Sequence, residues 1–183
     1  MKKIIIALVS VIAILLIAAG VILLSAGYTQ NVTVTEKDLP AMEIVYEDFT
    51  GPYSKTGKVM DDLYQSLKKD GINPVQGIGL YFDNPENVPQ DKLRSKVGSV
   101  IPAVSADQLS MLKKKYKTLT VPAGKYLYSS FPKKNVFSYM VGPMKVYPVI
   151  GRYITEKAIT PKAEYSIEIY DEPNSMIVYA MKI

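Results

Sequence analysis

Cysteine, histidine and tryptophan are all absent from this 183-residue chain. Without cysteine no disulfide can form, and the redox compartment is left open. The missing cysteine and histidine exclude zinc sites of the Cys/His type, thiol nucleophiles and Ser-His-Asp triads. Any acid–base chemistry falls to Asp, Glu, Lys or Tyr. No aromatic-interleaved basic strip and no DNA-binding motif is present. The net charge of +5 is modest and spread out, so nucleic acid is not an expected partner. The triplet Lys113-Lys114-Lys115 reads as a solvated helix end.

Charge is also missing from residues 4–26, which are interrupted only by Ser10, Gly20 and Ser25. A run of about 20 apolar residues is long enough to cross a bilayer, and it has no polar face to make it a surface helix. A cleavable signal has a shorter apolar core, of about 7–15 residues. The small residues Ser25-Ala26-Gly27 make cleavage the alternative, and lipoprotein processing is excluded by the lack of cysteine. Residues 1–27 are therefore read as a single-pass anchor with the lipid bilayer as partner. Lys2 and Lys3 precede the span and the next positive charge is Lys37. The positive-inside rule then puts the N-terminus in the cytoplasm and the domain outside.

Hydrophobic residues make up 48% of the chain and charged residues 21%, which suits one folded domain after the span. Residues 28–40 are a polar spacer, read as a linker or an extra edge strand. Residues 42–49 (MEIVYEDF) alternate as a strand. Residues 54–69 form a helix with Val59, Leu63 and Leu67 on one face, stopped at Gly71. Residues 78–82 form a buried strand, halted by Asp83-Asn84-Pro85. A returning strand follows Lys92. Ser105 can cap a short connecting helix bearing Leu109, Met111 and Leu112. β structure resumes at 119–131, broken at Pro122-Ala123-Gly124. A largely helical stretch spans 134–158, with a kink or a two-helix junction expected at Gly142-Pro143. Two strands around Asp171-Glu172-Pro173 close the chain.

The strand, Asp-x-Pro turn and strand therefore occur twice. Each half reads β-α-β-β, with repeat 1 at about 41–104 and repeat 2 at about 117–183 inside a domain at 41–183. Aligning Asp83 with Asp171 sets Tyr81 opposite Ile169, Leu80 opposite Glu168 and Pro85 opposite Pro173.

The stretch YFDNPENVPQDKLRSKVGSVIP (81–102) resembles the GyrI-like, AraC-type effector-binding (SOUL-like) superfamily, as do FTGPYSKTGKVMDDL (49–63) and SIEIYDEP (166–173). With the anchor added, the likeness is closest to the membrane-anchored, ER-phagy-receptor branch of that family. The resemblance implies an α+β fold of duplicated β-α-β-β units with pseudo-twofold symmetry. It also implies a cleft for small molecules between the repeats. Asp83, Pro85, Pro89, Lys92 and Arg94 carry the likeness and read as structural, with Arg94 pairing with an acid. Asp61-Asp62 is no metal pair, because adjacent helix residues diverge by about 100°. No metal and no cofactor is called for.

Glu168 is the main candidate. Strand alternation puts it on one face with Tyr170, and Ile167 and Ile169 on the other. If the isoleucines face the helices, Glu168 lies on the open face. The resemblance makes this glutamate a ligand contact, and an acid among aromatic rings suits a lipophilic cation. Tyr46, Tyr81, Tyr126 and Tyr128 complete the candidate binding set, with no catalytic residue named. Tyrosine is also a favoured strand residue, so packing is the plain reading for each one.

The expected function is a membrane-anchored binding module for a hydrophobic, cationic small molecule. An envelope scaffold that binds a protein partner through a vestigial cleft is the alternative. Hydrolysis of strained cyclopropane-containing toxins, which the resemblance also raises, is weakened by the lack of tryptophan, histidine and a clear second acid. The chain also lacks the disordered tail through which the receptor branch recruits its partners, so that activity is not expected to transfer.

Overall fold

The computed structural model describes residues 2–102 and 106–183. Helix α1 (Lys2–Ser25) comes first, and none of its side chains is buried. It is long and apolar enough to cross a membrane, as an anchor or as a signal sequence. The rest is an α+β domain. Its strands are β1 (Thr35–Leu39), β2 (Met42–Thr50), β3 (Gln76–Tyr81), β4 (Arg94–Val100), β5 (Lys117–Val121), β6 (Gly124–Pro132), β7 (Ser166–Asp171) and β8 (Met176–Lys182). Its helices are α2 (Thr56–Lys69), α3 (Ala106–Lys115) and α4 (Ser138–Lys157). The strands form one curled antiparallel sheet in the order β1-β6-β8-β7-β3-β4-β2-β5.

This order is symmetric about the β3/β7 junction. Each half contributes an inner strand, its hairpin partner and the strand that enters its helix. The outermost strands are exchanged: β1 leads into β2 but pairs with β6, and β5 leads into β6 but pairs with β2. Residues 28–40 are therefore not all linker. The first repeat begins at Thr35, and its arm is bonded to the other half. Ser105, expected to cap the connecting helix, lies outside the described residues, as does the expected end of repeat 1.

Pairing corrects the internal alignment. β2 and β6 are equally long, as are β4 and β8, and setting them end to end makes Gly98 equivalent to Ala180. Gly98 pairs with Ile78, and Ala180 pairs with Ile167. Ile78 is then equivalent to Ile167, Gly79 to Glu168 and Tyr81 to Tyr170. Alignment on the Asp-Pro turns is one residue out, which in a pleated strand exchanges the faces. Gly79 and Glu168 are also cross-strand partners, so the pseudo-twofold passes through this pair.

Both sheet faces are buried, by different means. One face curls around a core of strand residues that includes Ile44, Ile78, Leu80, Val100, Tyr126, Ile167 and Ile169. The other carries the helices in two separate cores. Leu127, Phe131, Ile177 and Tyr179 pack against Val141, Val146 and Ile150 of α4. Val45 and Ile101 pack against Leu63 and Leu67 of α2 and Leu112 of α3. Between these cores lies the centre of the helix-bearing face, at β3 and β7.

Helix α2 ends as expected, with Gly71 at φ 77 and Ile72 N–H donating to the Leu67 carbonyl at 3.0 Å. Helix α4 starts at Ser138 rather than 134 and runs unbroken through Pro143 and Pro148. The carbonyls those prolines leave without a helical donor belong to Tyr139 and Met144, both exposed residues. Arg94 pairs with an acid as expected: its Nη2 lies 2.8 Å from Asp83 Oδ1, and its backbone N–H donates to Asp83 Oδ2 at 2.7 Å. This pair holds the Asp83 carboxyl below the usual range.

Candidate functional site

Glu168 sits in the gap between the two helical cores. It is only 7% exposed. Ile167 and Ile169 enter the strand-lined core rather than face the helices, while Glu168 and Tyr170 turn toward the helices. Across the sheet its row reads Ser129, Tyr179, Glu168, Gly79 and Val97. The partner position at Gly79 has no side chain, and this makes room. A Cβ on Gly79 would come within 2.6 Å of the Tyr81 ring, and one on Gly77 within 3.3 Å of the Tyr170 ring.

Phenols hold both carboxylate oxygens. Tyr147, from α4, donates to Oε1 at 2.8 Å, and Tyr170 donates to Oε2 at 3.0 Å. The Tyr81 and Tyr170 hydroxyls are 2.7 Å apart. Tyr170 spends its one proton on Glu168, so Tyr81 is the donor to Tyr170. The symmetry-equivalent tyrosines thus form a relay that ends on the carboxylate. Tyr53, from the Gly-Pro-Tyr entry to α2, packs edge-on against Tyr81 at 4.7 Å. Tyr179 meets Tyr147 at 5.6 Å and Tyr139 meets Tyr170 at 5.7 Å.

The electrostatics of this pocket are one-sided. Among the described residues no lysine or arginine forms an ion pair with Glu168. Burial pushes its carboxyl from the ordinary value of 4.5 to about 7, although the bonds from Tyr147 and Tyr170 pull it down. Burial, and then the Glu168 charge, hold the Tyr147 and Tyr170 phenols well above their usual range, so both remain proton donors. The buried hydroxyls of Ser129 and Tyr179, neighbours in the same row, have no hydrogen-bond partner among the described residues. An unpaired buried hydroxyl costs roughly 1–3 kcal/mol, so these are polar groups a ligand can satisfy. Gly142 admits Tyr179, since a Cβ there would overlap its hydroxyl.

Of the tyrosines read from the sequence, the structure joins Tyr81 and Tyr170 to Glu168. It sends the other three to the opposite face. Tyr126 is buried in the strand-lined core with its hydroxyl on the Pro122 carbonyl at 2.6 Å. Tyr46 packs on the same core under Lys96, and Tyr128 lies under Lys37, each with the ammonium 4.5 Å from the ring centre. Their alternation matches that of Ile44 and Ile78, not that of Glu168. Tyr147, Tyr179 and Tyr53 were missed. For Tyr179 a signal existed: once β8 is paired with β7, it is the direct neighbour of Glu168. Tyr147 had none, because it reaches the site from a helix whose placement depends on tertiary packing. Asp62, set aside as a metal ligand, pairs with Lys58 at 2.5 Å.

Comparison with known proteins bears on this arrangement. The GyrI-like small molecule binding domain matches residues 33–176. Human testis-expressed protein 264 is 27% identical over 135 residues, covering 70% of this chain and 41% of that protein. Its mouse homolog is 26% identical over 155 residues, covering 80% and 48%. The chain thus spans less than half the length of these relatives. A DNA gyrase inhibitor from Escherichia fergusonii is 36% identical over 53 residues, covering 28% of this chain and 34% of that protein. Among solved structures, the EcmrR C-terminal domain superposes with a TM-score of 0.62 at 10% identity, covering 84% of this chain and all of that one. An uncharacterized conserved protein from Listeria innocua gives 0.52 at 13% identity, covering 81% and 91%. At such identities the likeness concerns the fold.

Proposed function

The chain belongs to the GyrI-like small-molecule-binding family, and from that premise we propose that it binds a hydrophobic cation over Glu168, between α2 and α4. The observation that carries this reading is a buried carboxylate held by two phenols and, among the described residues, without a cationic partner. A buried charge needs a partner or a proton. Here a proton serves while the site is empty of ligand, and a lipophilic cation takes its place on binding. Tyr147 and Tyr170 turn aside to admit it, and the surrounding rings add about 0.5–2 kcal/mol of cation–π attraction each. The test compares cationic dyes with neutral dyes of the same shape, using the full chain in micelles. Wild type is expected to bind the cations, and Glu168→Gln to bind them at least about 30-fold more weakly, equivalent to about 2 kcal/mol. Equal binding of both dye classes, or no binding by either form, overturns the reading and leaves the partner-binding alternative.

Helix α1 is, in this reading, a membrane anchor with the N-terminus in the cytoplasm and the domain on the far side, as Lys2 and Lys3 direct. A periplasm-active reporter fused after Ile183 is expected to be active, and a cytoplasm-active one silent. The reverse pattern would refute the orientation.

A further inference from the structure

The end of α1 does not hang on a tether. Ala26 is fully buried with Leu127, Phe131 and Val141. The Ser138 hydroxyl, at the start of α4, donates to the Ala26 carbonyl at 3.1 Å, and the Asn135 amide donates to Ser25 Oγ at 3.2 Å. Gly27, at φ 97, passes close to the Phe131 ring. Lys145 of α4 sits 5.0 Å from the centre of the Tyr28 ring. Thus the entry to α4 is fixed at the level where the apolar run stops.

That entry is also where the domain exposes its apolar side chains. Val136 is 70% exposed, Phe137 42%, Met140 51% and Met144 57%. Met140 and Met144 lie one turn apart on α4, and Val136 and Phe137 sit in the turn that leads into it. Val136 and Phe137 lie between Asn135 and Ser138, the two residues bonded to the end of α1. Exposed Lys134 and the Lys145–Tyr28 pair flank the stripe. Basic and tyrosine side chains around an apolar face are the composition of the bilayer interface.

We infer that the apolar surface formed by Val136 and Phe137 in the turn before α4 and by Met140 and Met144 on α4 lies in the bilayer interface beside α1, as a second membrane contact. The inference rests on reading α1 as a span, because only then does the end of α1 mark the bilayer surface. The partner is lipid, since the stripe continues the apolar surface of a helix whose own side chains are uncovered. Docking of this kind fixes the orientation of the domain and puts the turn that carries Tyr147 next to the membrane.

The absence of cysteine gives a clean background for spin labelling. Phe137→Cys, Met140→Cys and Met144→Cys are labelled one at a time in the full chain, in phosphatidylcholine–phosphatidylglycerol vesicles. Leu15→Cys serves as the marker for the span and Met111→Cys as the exposed apolar control on α3. Labels at 137, 140 and 144 are expected to collide with oxygen freely and with a water-soluble nickel complex several-fold less than the label at 111. Nickel-accessible labels at 140 and 144, beside a bilayer-buried label at 15, overturn the docking alone. Labels shielded from both agents also overturn it, in favour of a second copy or a protein partner. A nickel-accessible label at 15 overturns the span, and the docking with it.

Discussion

Gly98→Ala is expected to destabilise the fold by about 3 kcal/mol or more. Gly98 pairs with Tyr46 on one side and Ile78 on the other, in the middle of the first repeat. A Cβ there would overlap the Val45 carbonyl oxygen and come within 2.8 Å of Tyr46 Cα. The obstacle is backbone, so no rotamer change relieves it, and β2 must move away from β4. Overpacking against side chains costs about 1–3 kcal/mol, and displacing a strand that also carries β5 should cost 3 kcal/mol or more. That is a large part of the total stability of about 5–15 kcal/mol. Gly98 does not have a positive φ, so the effect is steric rather than conformational. Gly151→Ala in α4 is the contrast: nothing lies within 4 Å of its Cβ, and the helix should gain about 1 kcal/mol. Urea titrations followed by circular dichroism in micelles measure both. A Gly98→Ala midpoint within error of wild type would show that β2 and β4 tolerate separation.

The clash has a cause that the sequence hides. The sheet curls enough to bury its inner face around strand residues alone, and curl has no one-residue signature. The pattern around it was readable. Alternation marked the strands, Leu63 and Leu67 marked the buried face of α2, and the two Asp-Pro turns marked the duplication. The alignment slipped because the turns are unequal: Phe82 to Leu93 separates β3 from β4, while only Glu172 to Ser175 separates β7 from β8. Aligning on the prolines absorbed part of that difference into the strands, which sent Leu80 rather than Gly79 to the position of Glu168.

The same limit explains the site. Alternation tells which residues share a face but not which face bears helices, and here both faces are buried. Alternation grouped Glu168 with Tyr170, and the side they take followed only from where the helices pack. Tyr46, Tyr126 and Tyr128 were grouped with them because all are tyrosines on strands, although only Tyr81 shares their face. The acid was legible only through the resemblance, because a glutamate between Ile167 and Ile169 is ordinary alternation in a strand with one solvent-facing side.

Glu168→Gln is expected to make the protein more stable above neutral pH and to leave it unchanged in acid. The folded carboxyl titrates at about 7, against an ordinary value of 4.5. Below pH 4.5 the group is protonated both folded and unfolded, and it contributes nothing. Between 4.5 and 7 the unfolded chain releases the proton while the folded one keeps it, so stability falls as pH rises. Above 7 the full penalty is present, about 3–4 kcal/mol at about 1.4 kcal/mol per unit of displacement. Glutamine carries no such penalty. Carboxylates held low by cations, such as Asp48 beside Lys96 and Lys117, work in the opposite direction and at lower pH. The difference between mutant and wild type therefore isolates Glu168. Urea titrations at pH 4, 6 and 8 should give a difference that grows from near zero to about 3–4 kcal/mol. A difference that stays flat would mean that the carboxyl is not buried as described. The same linkage acts on a bound cation, which must displace the proton below pH 7 and need not above it. Cation affinity should thus rise with pH and level off near 7, so stability and binding exchange across one titration: the charge that weakens the empty domain is the one that holds the ligand.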